Sequence, residues 1–199
     1  MVEENEAGTR DSDQRRYMPL ENEYALIRRC QDGDLKAFEA LYYHYETPML
    51  SLAYRMLGTR EEAEDALQDA FLKLHRNIGK YRFDAAFASW FYRIVANACY
   101  DRLRKRKRAG EVGLDTVPET GIEEHSDLRV YIQKAINDLP PQLKACFVLH
   151  VQEGFKMREV AEMLGTREGT VKAHIFRAKA RLRDALAPRL RGFICDEMS

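Results

Sequence analysis

Apolar residues recur at intervals of three and four positions through most of this 199-residue chain, and this spacing constrains its fold more than any other feature. One such series lies within residues 35–57: Phe38, Leu41, Tyr42, Tyr45, Met49, Leu52, Ala53 and Met56. These intervals place side chains on one face of an α-helix, whereas a strand needs strict alternation, of which the sequence shows no clear run. The pattern therefore predicts an all-α fold.

Turn-forming residues indicate where the predicted helices begin and end. A short helix over residues 23–31 is followed by Asp32-Gly33-Asp34, which ends it and caps the next helix. Gly58-Thr59 plays the same part between the second helix and a third. A loop near residues 79–86 then separates the third helix from a fourth.

Composition divides the chain into two helical domains. Residues 109–127 hold three glycines, one proline and six acidic residues without a single Lys or Arg, which is typical of a flexible linker. Fully extended, this linker reaches roughly 65 Å at about 3.4 Å per residue. We expect a disordered arm at 1–20, a first domain at 21–108, the linker at 109–127, a second domain at 128–191 and a short tail at 192–199.

The formal net charge is zero, with 32 basic and 32 acidic residues, but the charges are separated locally. Six of the seven residues at 102–108, the basic block, are Lys or Arg. Between residues 156 and 191, ten basic residues stand against four acidic ones. Clustered cations repel one another, so two basic surfaces flanking an acidic linker favour a polyanionic partner. A solvated helix end, helped by the helix dipole, is the alternative for the basic block.

The sequence argues against membrane insertion and against a disulfide framework. No apolar run approaches the roughly 18 residues of a membrane span, and the first twenty residues lack an apolar signal core. We therefore expect a soluble, cytosolic protein. The cysteines are widely spaced, without a Cys-x-x-Cys pair, as expected of reduced thiols. They are Cys30, Cys99, Cys146 and Cys195.

A catalytic function is one alternative to nucleic-acid binding. Cys146 and His150 are four residues apart on a predicted helix, a spacing that can supply two metal ligands. No second pair accompanies them, and no Gly-rich phosphate loop or nucleophile elbow is present. We expect a buried cysteine, an exposed histidine, no cofactor and no catalytic activity.

Residues 157–186 are typical of a helix-turn-helix. Val160, Ala161 and Leu164 form an inner face, and Gly165 permits the tight turn. The second helix of the motif repeats apolar residues at Val171, Ile175, Ala178 and Leu182, while its other faces are basic. Such a helix suits the major groove of DNA, although an exposed basic helix on an ordinary bundle would show the same pattern.

Residues 89–108, "SWFYRIVANACYDRLRKRKR", join large rings to the basic block. Cations follow phosphates and rings receive unstacked bases, so this combination favours single-stranded nucleic acid. Core packing is the simpler explanation for Trp90 itself.

Three segments of the chain resemble the extracytoplasmic-function (ECF) sigma factors of bacteria. They read "AEDALQDAFLKLHRNIGKYR" (63–82), "FASWFYRIVANACYDRLRKRKR" (87–108) and "LPPQLKACFVLHVQEGFKMREVAEMLGTREGTVKAHIFRAKARLRDAL" (139–186). With the helix at 35–57, the resemblance covers nearly all of residues 20–190. It implies an initiation factor that binds RNA polymerase core, with a region-two domain that opens and reads the minus-ten element and a region-four domain that reads the minus-thirty-five element as duplex.

The resemblance also implies roles for individual residues. The upstream duplex would be read by Arg167, Thr170, Lys172, Ala173, Phe176 and Arg177. The opened non-template strand would be held by Tyr81, Phe83, Asp84, Ala85, Ala86, Phe87, Asn97, Asp101, Arg104, Lys105 and Arg106. Polymerase docking would use Asp65, Gln68 and Asp69, for which a solvated acidic helix face is the alternative. Phe83 stands where the family has a small residue, often Gly, so the preferred flipped base stays open.

The resemblance implies three partners: RNA polymerase core, promoter DNA (as duplex and as non-template single strand) and an anti-sigma factor. A membrane-bound anti-sigma factor would hold the chain near the membrane. A stand-alone helix-turn-helix regulator is the second alternative. It would explain the second domain but not the aromatic and basic helix at 87–108.

Overall fold

The computed structural model describes residue 20, residues 22–109 and residues 124–196, with residues 124–128 and 189–196 described by their backbone alone. The first domain contains α1 (Glu23–Gln31), α2 (Leu35–Leu57), α3 (Arg60–Asn77), a 3-10 turn (Ile78–Lys80) and α4 (Phe87–Ala109). The second contains α5 (Glu124–Asn137), α6 (Pro141–Phe147), a π-helical turn (Val148–Gln152), α7 (Met157–Leu164) and α8 (Glu168–Asp196). The described ranges hold no strand, and the all-α prediction is confirmed.

Two helix boundaries differ from the expected domain limits. Helix α5 begins inside the segment expected to be the linker, and α8 continues into the expected tail. The expected N-terminal arm, apart from Leu20, and linker residues 110–123 lie outside the described residues.

The predicted turns form as expected. The Asp34 carboxylate accepts hydrogen bonds from the backbone N–H groups of Lys36 and Ala37, at 2.9 and 3.2 Å, and so caps α2. Gly58 ends α2 with a φ of 95°, a left-handed conformation that glycine adopts without strain. The Thr59 hydroxyl then accepts from the Glu62 N–H and caps α3.

The core of the first domain is formed by the apolar faces of α2, α3 and α4. On α3 the apolar residues that recur at three and four positions are all buried: Ala63, Ala66, Leu67, Ala70, Phe71 and Leu74. Aromatic rings join the three helices, with Phe91 of α4 lying 4.9 Å from Phe71 and 5.6 Å from Tyr45 between ring centroids. Each buried side chain of this size stabilises the fold by about 1.5–3 kcal/mol, so the aromatic half of α4 is held firmly.

The helix-turn-helix prediction is also confirmed. Gly165 ends α7 with a φ of 61°, and the predicted inner face of α8 is buried. On α7 the inner face includes Met163 in addition to the predicted residues, while Leu164 is only half-buried. The turn is tight because a left-handed residue follows the last helical residue directly.

The two domains pack directly against each other, because α6 and α7 contact α4. Phe155 lies 5.3 Å from Tyr92 between ring centroids, and both are buried. Arg55 of α2 pairs with Glu153 at 2.6 Å, a pair whose carboxylate is 9% exposed. These contacts bury apolar surface from both domains in one continuous core.

Lys144 of α6 is the one fully buried charged residue among the described side chains, with 0% exposure. Its Nζ donates to Asn137 Oδ1 at 2.9 Å, and Glu62 and Arg106 of the first domain lie nearby. Burial, reinforced by the Arg106 charge, lowers the pKa of this amine from 10.5 to about 7. The domain contact therefore contains a group whose burial costs free energy when it is protonated.

The described cysteines are unpaired and lie in the core. Cys30, Cys99 and Cys146 are buried free thiols. Burial raises the pKa of Cys99 and of Cys146 to about 12, which leaves them as poorly reactive thiols. The side chain of Cys195 lies outside the described residues.

Three further findings concern the metal site and the membrane span that the sequence argued against. His150 is half-buried rather than exposed, because its Nδ1 donates to the Phe155 carbonyl oxygen at 2.7 Å. Among the described side chains, no group of three or more His, Cys, Asp or Glu is arranged to hold a metal ion. In the same part of the chain, no helix is both long and apolar enough to span a membrane.

Candidate nucleic-acid interfaces

The loop at residues 81–86, here called the strand loop, connects the 3-10 turn to α4. Tyr81 at its start is buried, and its hydroxyl donates to the Ala85 carbonyl oxygen across the loop. Phe87, which follows the loop, is fully buried. These two rings therefore support the loop from the core side, and the exposed residues of the loop are Arg82, Asp84, Ala85 and Ala86.

Trp90 lies beside the strand loop and is half-buried. Its ring centroid is 5.1 Å from that of Tyr81 and 5.7 Å from that of Phe87. It packs against the core cluster without being enclosed by it, so the core interpretation of this residue holds only in part.

Phe83 is half-buried in the strand loop and adopts a φ of 62°. This left-handed conformation is rare for a residue with a side chain and natural for glycine, which accounts for the small residue expected at this position. The Phe83 ring contacts Tyr24 and Arg28 of α1. Sequence reasoning assigned no role to α1, since its residues show no motif.

The residues of α4 predicted to follow the opened strand lie along its second half. Asn97 is half-buried and Asp101 is exposed, one helical turn apart on the same face. Arg104 and Lys105 are exposed, and the Arg104 guanidinium lies 5.7 Å from the Tyr100 ring centroid. These two cations are available to phosphate groups at the surface.

Arg106 differs from the other predicted strand-binding cations. Its side chain is only 22% exposed, and Nη1 contacts Glu62 Oε2 at 3.0 Å and the Leu57 carbonyl oxygen at 3.4 Å. A guanidinium held by a carboxylate and a carbonyl oxygen is less available to DNA, so in this arrangement Arg106 serves the protein interior as well as the basic block.

A cleft of about 530 Å³ separates α3 from the basic end of α4. At its rim Arg102 pairs with Asp69 at 2.6 Å and with Asp65 at 3.5 Å. Both carboxylates and Gln68 are exposed, as a docking surface requires. The two predicted docking acids are thus already engaged with the first cation of the basic block.

The predicted duplex-reading residues share one outer face of α8 and the turn before it. Arg167, Lys172 and Arg177 are exposed, while Thr170 and Ala173 are half-buried. Phe176 is 74% exposed, a large ring without a packing role in this fold. A ring flanked by cations suits contact with base edges and sugars in a groove.

The comparisons with known proteins match both domains separately. The family model Sigma-70 region 2 matches residues 41–109, and the model Sigma-70, region 4 matches residues 129–182. The curated protein "ECF RNA polymerase sigma factor SigM" of Mycobacterium tuberculosis is 40% identical over 151 residues, which cover 75% of this chain and 77% of that protein. "ECF RNA polymerase sigma factor SigW" of Bacillus subtilis is 33% identical over 177 residues, covering 80% and 94%.

A solved structure shares the fold. The sigma factor RpoE of Bartonella quintana, in complex with the anti-sigma factor NepR, matches with a TM-score of 0.58 and 22% identity over 77% of this chain and 98% of that chain. At this identity the likeness concerns the arrangement of helices alone.

Proposed function

We propose a mechanism of promoter selection for this chain from the premise that it belongs to the extracytoplasmic-function family of RNA polymerase sigma factors. Its function is that of an initiation factor, which binds RNA polymerase core and directs it to specific promoters. The observation that carries this conclusion is the presence of a region-2 match and a region-4 match, in that order, on one chain.

The minus-ten element is opened and held by the first domain in this proposal. The exposed part of the strand loop, together with Asn97 and Asp101 on the adjoining helix α4, receives an unpaired base of the non-template strand. Extruding a base costs a few kcal/mol, so stacking on the protein and hydrogen bonds to the base edge must offset this cost. Arg104 and Lys105 guide the phosphates that follow, and Arg106 contributes only when its contact with Glu62 is released.

The minus-thirty-five element is read by the outer face of α8. Lys172 and Arg177 donate to guanine O6 and N7, and Phe176 covers a thymine methyl group or a sugar. Arg167 and Thr170, near the start of the helix, contact the phosphates there, where the helix dipole also favours an anion. The exposure of these side chains and the burial of the opposite apolar stripe support this assignment.

Polymerase docking is assigned to Asp65, Gln68 and Asp69 on the exposed side of α3. Their accessibility supports the assignment. Arg102 pairs with both carboxylates in the free chain, and exposed pairs of this kind are worth about 1 kcal/mol or less. A basic polymerase surface can therefore displace Arg102 at little cost.

A run-off transcription assay with purified RNA polymerase core tests the function directly. We expect promoter-specific transcripts when the full chain is added and none with core alone. A stand-alone regulator would instead protect duplex promoter DNA without polymerase. Protection by the chain alone, together with no new transcript from core plus chain, would contradict the sigma-factor function.

We also propose that the chain acts in the bacterial cytoplasm, where its polymerase partner is found, and that it catalyses no reaction. We further propose that an anti-sigma factor binds it there. Two basic surfaces joined by an acidic linker offer such an inhibitor a large charged surface to cover. The test is a pull-down with tagged chain, followed by purification of any recovered protein. A genuine inhibitor must block binding of the chain to core, and recovery of polymerase without such a protein would contradict the proposal.

A further inference from the structure

Helix α1 is tied to the strand loop, although it lies before residue 41, where the region-2 match begins. Gln31 at the end of α1 donates from Nε2 to the carbonyl oxygens of Ile78 and Tyr81, each at 2.9 Å. At the other end of α1, Glu23 accepts a hydrogen bond from the Tyr45 hydroxyl at 2.6 Å. The helix is thereby fixed at both ends, and its second end holds the backbone at the start of the loop.

The contact between α1 and the loop centres on Phe83. The Tyr24 ring lies 4.6 Å from the Phe83 ring between centroids, and the Arg28 guanidinium carbon lies 4.6 Å from the Phe83 centroid. On the core side, Tyr81 lies 4.7 Å from Phe83. Rings and a cation at these distances attract one another. They stabilise the left-handed φ of 62° that Phe83 adopts.

Arg28 also orients Tyr24. Its Nε and Nη2 donate to the Tyr24 hydroxyl oxygen at 3.1 and 3.0 Å, so the tyrosine ring is fixed from its hydroxyl end as well as from its face. Despite these contacts Tyr24 is 59% exposed, and Arg28 is exposed too. The result is a rigid, solvent-facing aromatic surface beside a cation, a combination that binds single-stranded nucleic acid by base stacking.

We propose that Tyr24 and Arg28 of α1 extend the minus-ten site: Tyr24 stacks on an unpaired base of the non-template strand next to the extruded base, and Arg28 contacts the adjoining phosphate. This inference rests on the proposed role of the strand loop and basic block in strand binding. It adds one stacked nucleotide to that site and assigns it to a helix outside the region-2 match. Because every base has an aromatic face, the added contact strengthens binding with little preference for base type.

The experiment measures the affinity of holoenzyme, assembled from core and full chain, for a fluorescent single-stranded non-template oligonucleotide that spans the minus-ten element. Tyr24→Ala should weaken binding about 5- to 150-fold, the range expected for one lost base stack. Tyr24→Phe keeps the ring and should stay within about threefold of the wild type. Circular dichroism and core binding confirm that the variants fold, which the exposure of Tyr24 favours.

A series of oligonucleotides, each with one abasic position, separates stacking from a general effect on the loop. For the wild type, one abasic position should reproduce the loss caused by Tyr24→Ala, and in that variant the same position should have no further effect. If Tyr24→Ala instead weakens all oligonucleotides equally, with every abasic penalty retained, the tyrosine only supports the loop and the stacking proposal is wrong.

The double variant Arg104→Gln/Lys105→Gln distinguishes failure of this inference from failure of the proposed minus-ten site. If the double variant weakens binding and Tyr24→Ala does not, the minus-ten assignment stands and the role of α1 is refuted. If neither variant changes the affinity, the minus-ten assignment itself is wrong and the role of α1 fails with it.

Discussion

The packing of the second domain on the first can be tested through Lys144, because its amine loses solvent only when α6 lies against α4. The folded chain lowers the pKa of Lys144 from 10.5 to about 7. Between these values the unfolded chain binds the proton and the folded chain does not. The free energy of unfolding therefore rises with pH in this window, and below pH 7 the full cost of burying the ammonium is present.

The magnitude follows from the two pKa values. From pH 7, where the folded amine is half protonated, to pH 8.5, where it is almost entirely neutral, the Lys144 contribution rises by about 1–2 kcal/mol. Above pH 9 the buried thiols act in the opposite sense, since the pKa of Cys99 is raised by burial from 9.0 to about 12 and the unfolded chain loses that proton first. The interpretable window is accordingly pH 7–8.5.

The measurement compares urea unfolding of the wild type with that of Lys144→Met at several pH values in this window. Methionine keeps an unbranched apolar stem without the charge, and the Asn137 oxygen that Lys144 leaves still accepts from Gln133 Nε2 at 3.2 Å. We expect the wild type to gain about 1–2 kcal/mol relative to the variant between pH 7 and 8.5. Histidine titrations cancel in this difference because both proteins carry them.

Lys36→Met is the matched control, since Lys36 is an exposed lysine of α2. Its side chain is exposed, so the difference in unfolding free energy between Lys36→Met and the wild type should be the same throughout this window. If the difference in unfolding free energy between Lys144→Met and the wild type is also independent of pH, the inferred burial of Lys144 is wrong. That result would mean that the amine keeps its water in the folded chain and that α6 does not pack on α4.

Three further predictions concern the DNA-binding surfaces and one turn. Arg177→Ala should flatten promoter preference at one or two upstream base pairs, by about 1–3 kcal/mol of discrimination, when activity is measured across a randomised minus-thirty-five element. An equal loss of activity on every sequence would make Arg177 a phosphate contact. The control variant Arg183→Ala should change only salt sensitivity. Arg104→Gln/Lys105→Gln should weaken promoter binding evenly and reduce the salt slope by about 1.4–1.8; a loss of discrimination at constant affinity would contradict this. Gly58→Ala should lower the free energy of unfolding by about 1–2 kcal/mol or more because φ is 95° there, and unchanged urea denaturation would contradict that reasoning.

The local structure of this chain was predictable because its signals are local. A glycine or a capping residue acts within one turn, so the Asp34 cap and the left-handed Gly58 follow from a few letters. Apolar spacing likewise predicts which face of a helix is buried, as the confirmed stripe from Val171 to Leu182 illustrates. Such features do not depend on where the other domain lies.

Contacts between distant segments were not predictable in the same way. The burial of Lys144 depends on α4 and α6, which are separated by the linker, and a lysine alone gives no sign of burial. The contact of Tyr24 with Phe83 depends on an unusual φ in a loop. Spacing rules describe regular helices, so they do not predict the left-handed conformation of Phe83, which neighbouring rings stabilise.

Part of the positive charge of the basic block is paired with carboxylates of α3, which the net charge of the chain does not reveal. In the folded chain Arg102 pairs with Asp65 and Asp69, and Arg106 pairs with Glu62, so two cations of the basic block face carboxylates of α3. The carboxylates of the Arg102 pairs are exposed and those pairs are weak, whereas the Arg106 pair is part-buried and costs more to break. A partner that binds the α3 carboxylates therefore frees Arg102 first. In the proposed function, polymerase docking at this surface would in this way be coupled to phosphate binding by the basic block through shared charges, with the sign that promoter binding by the holoenzyme requires.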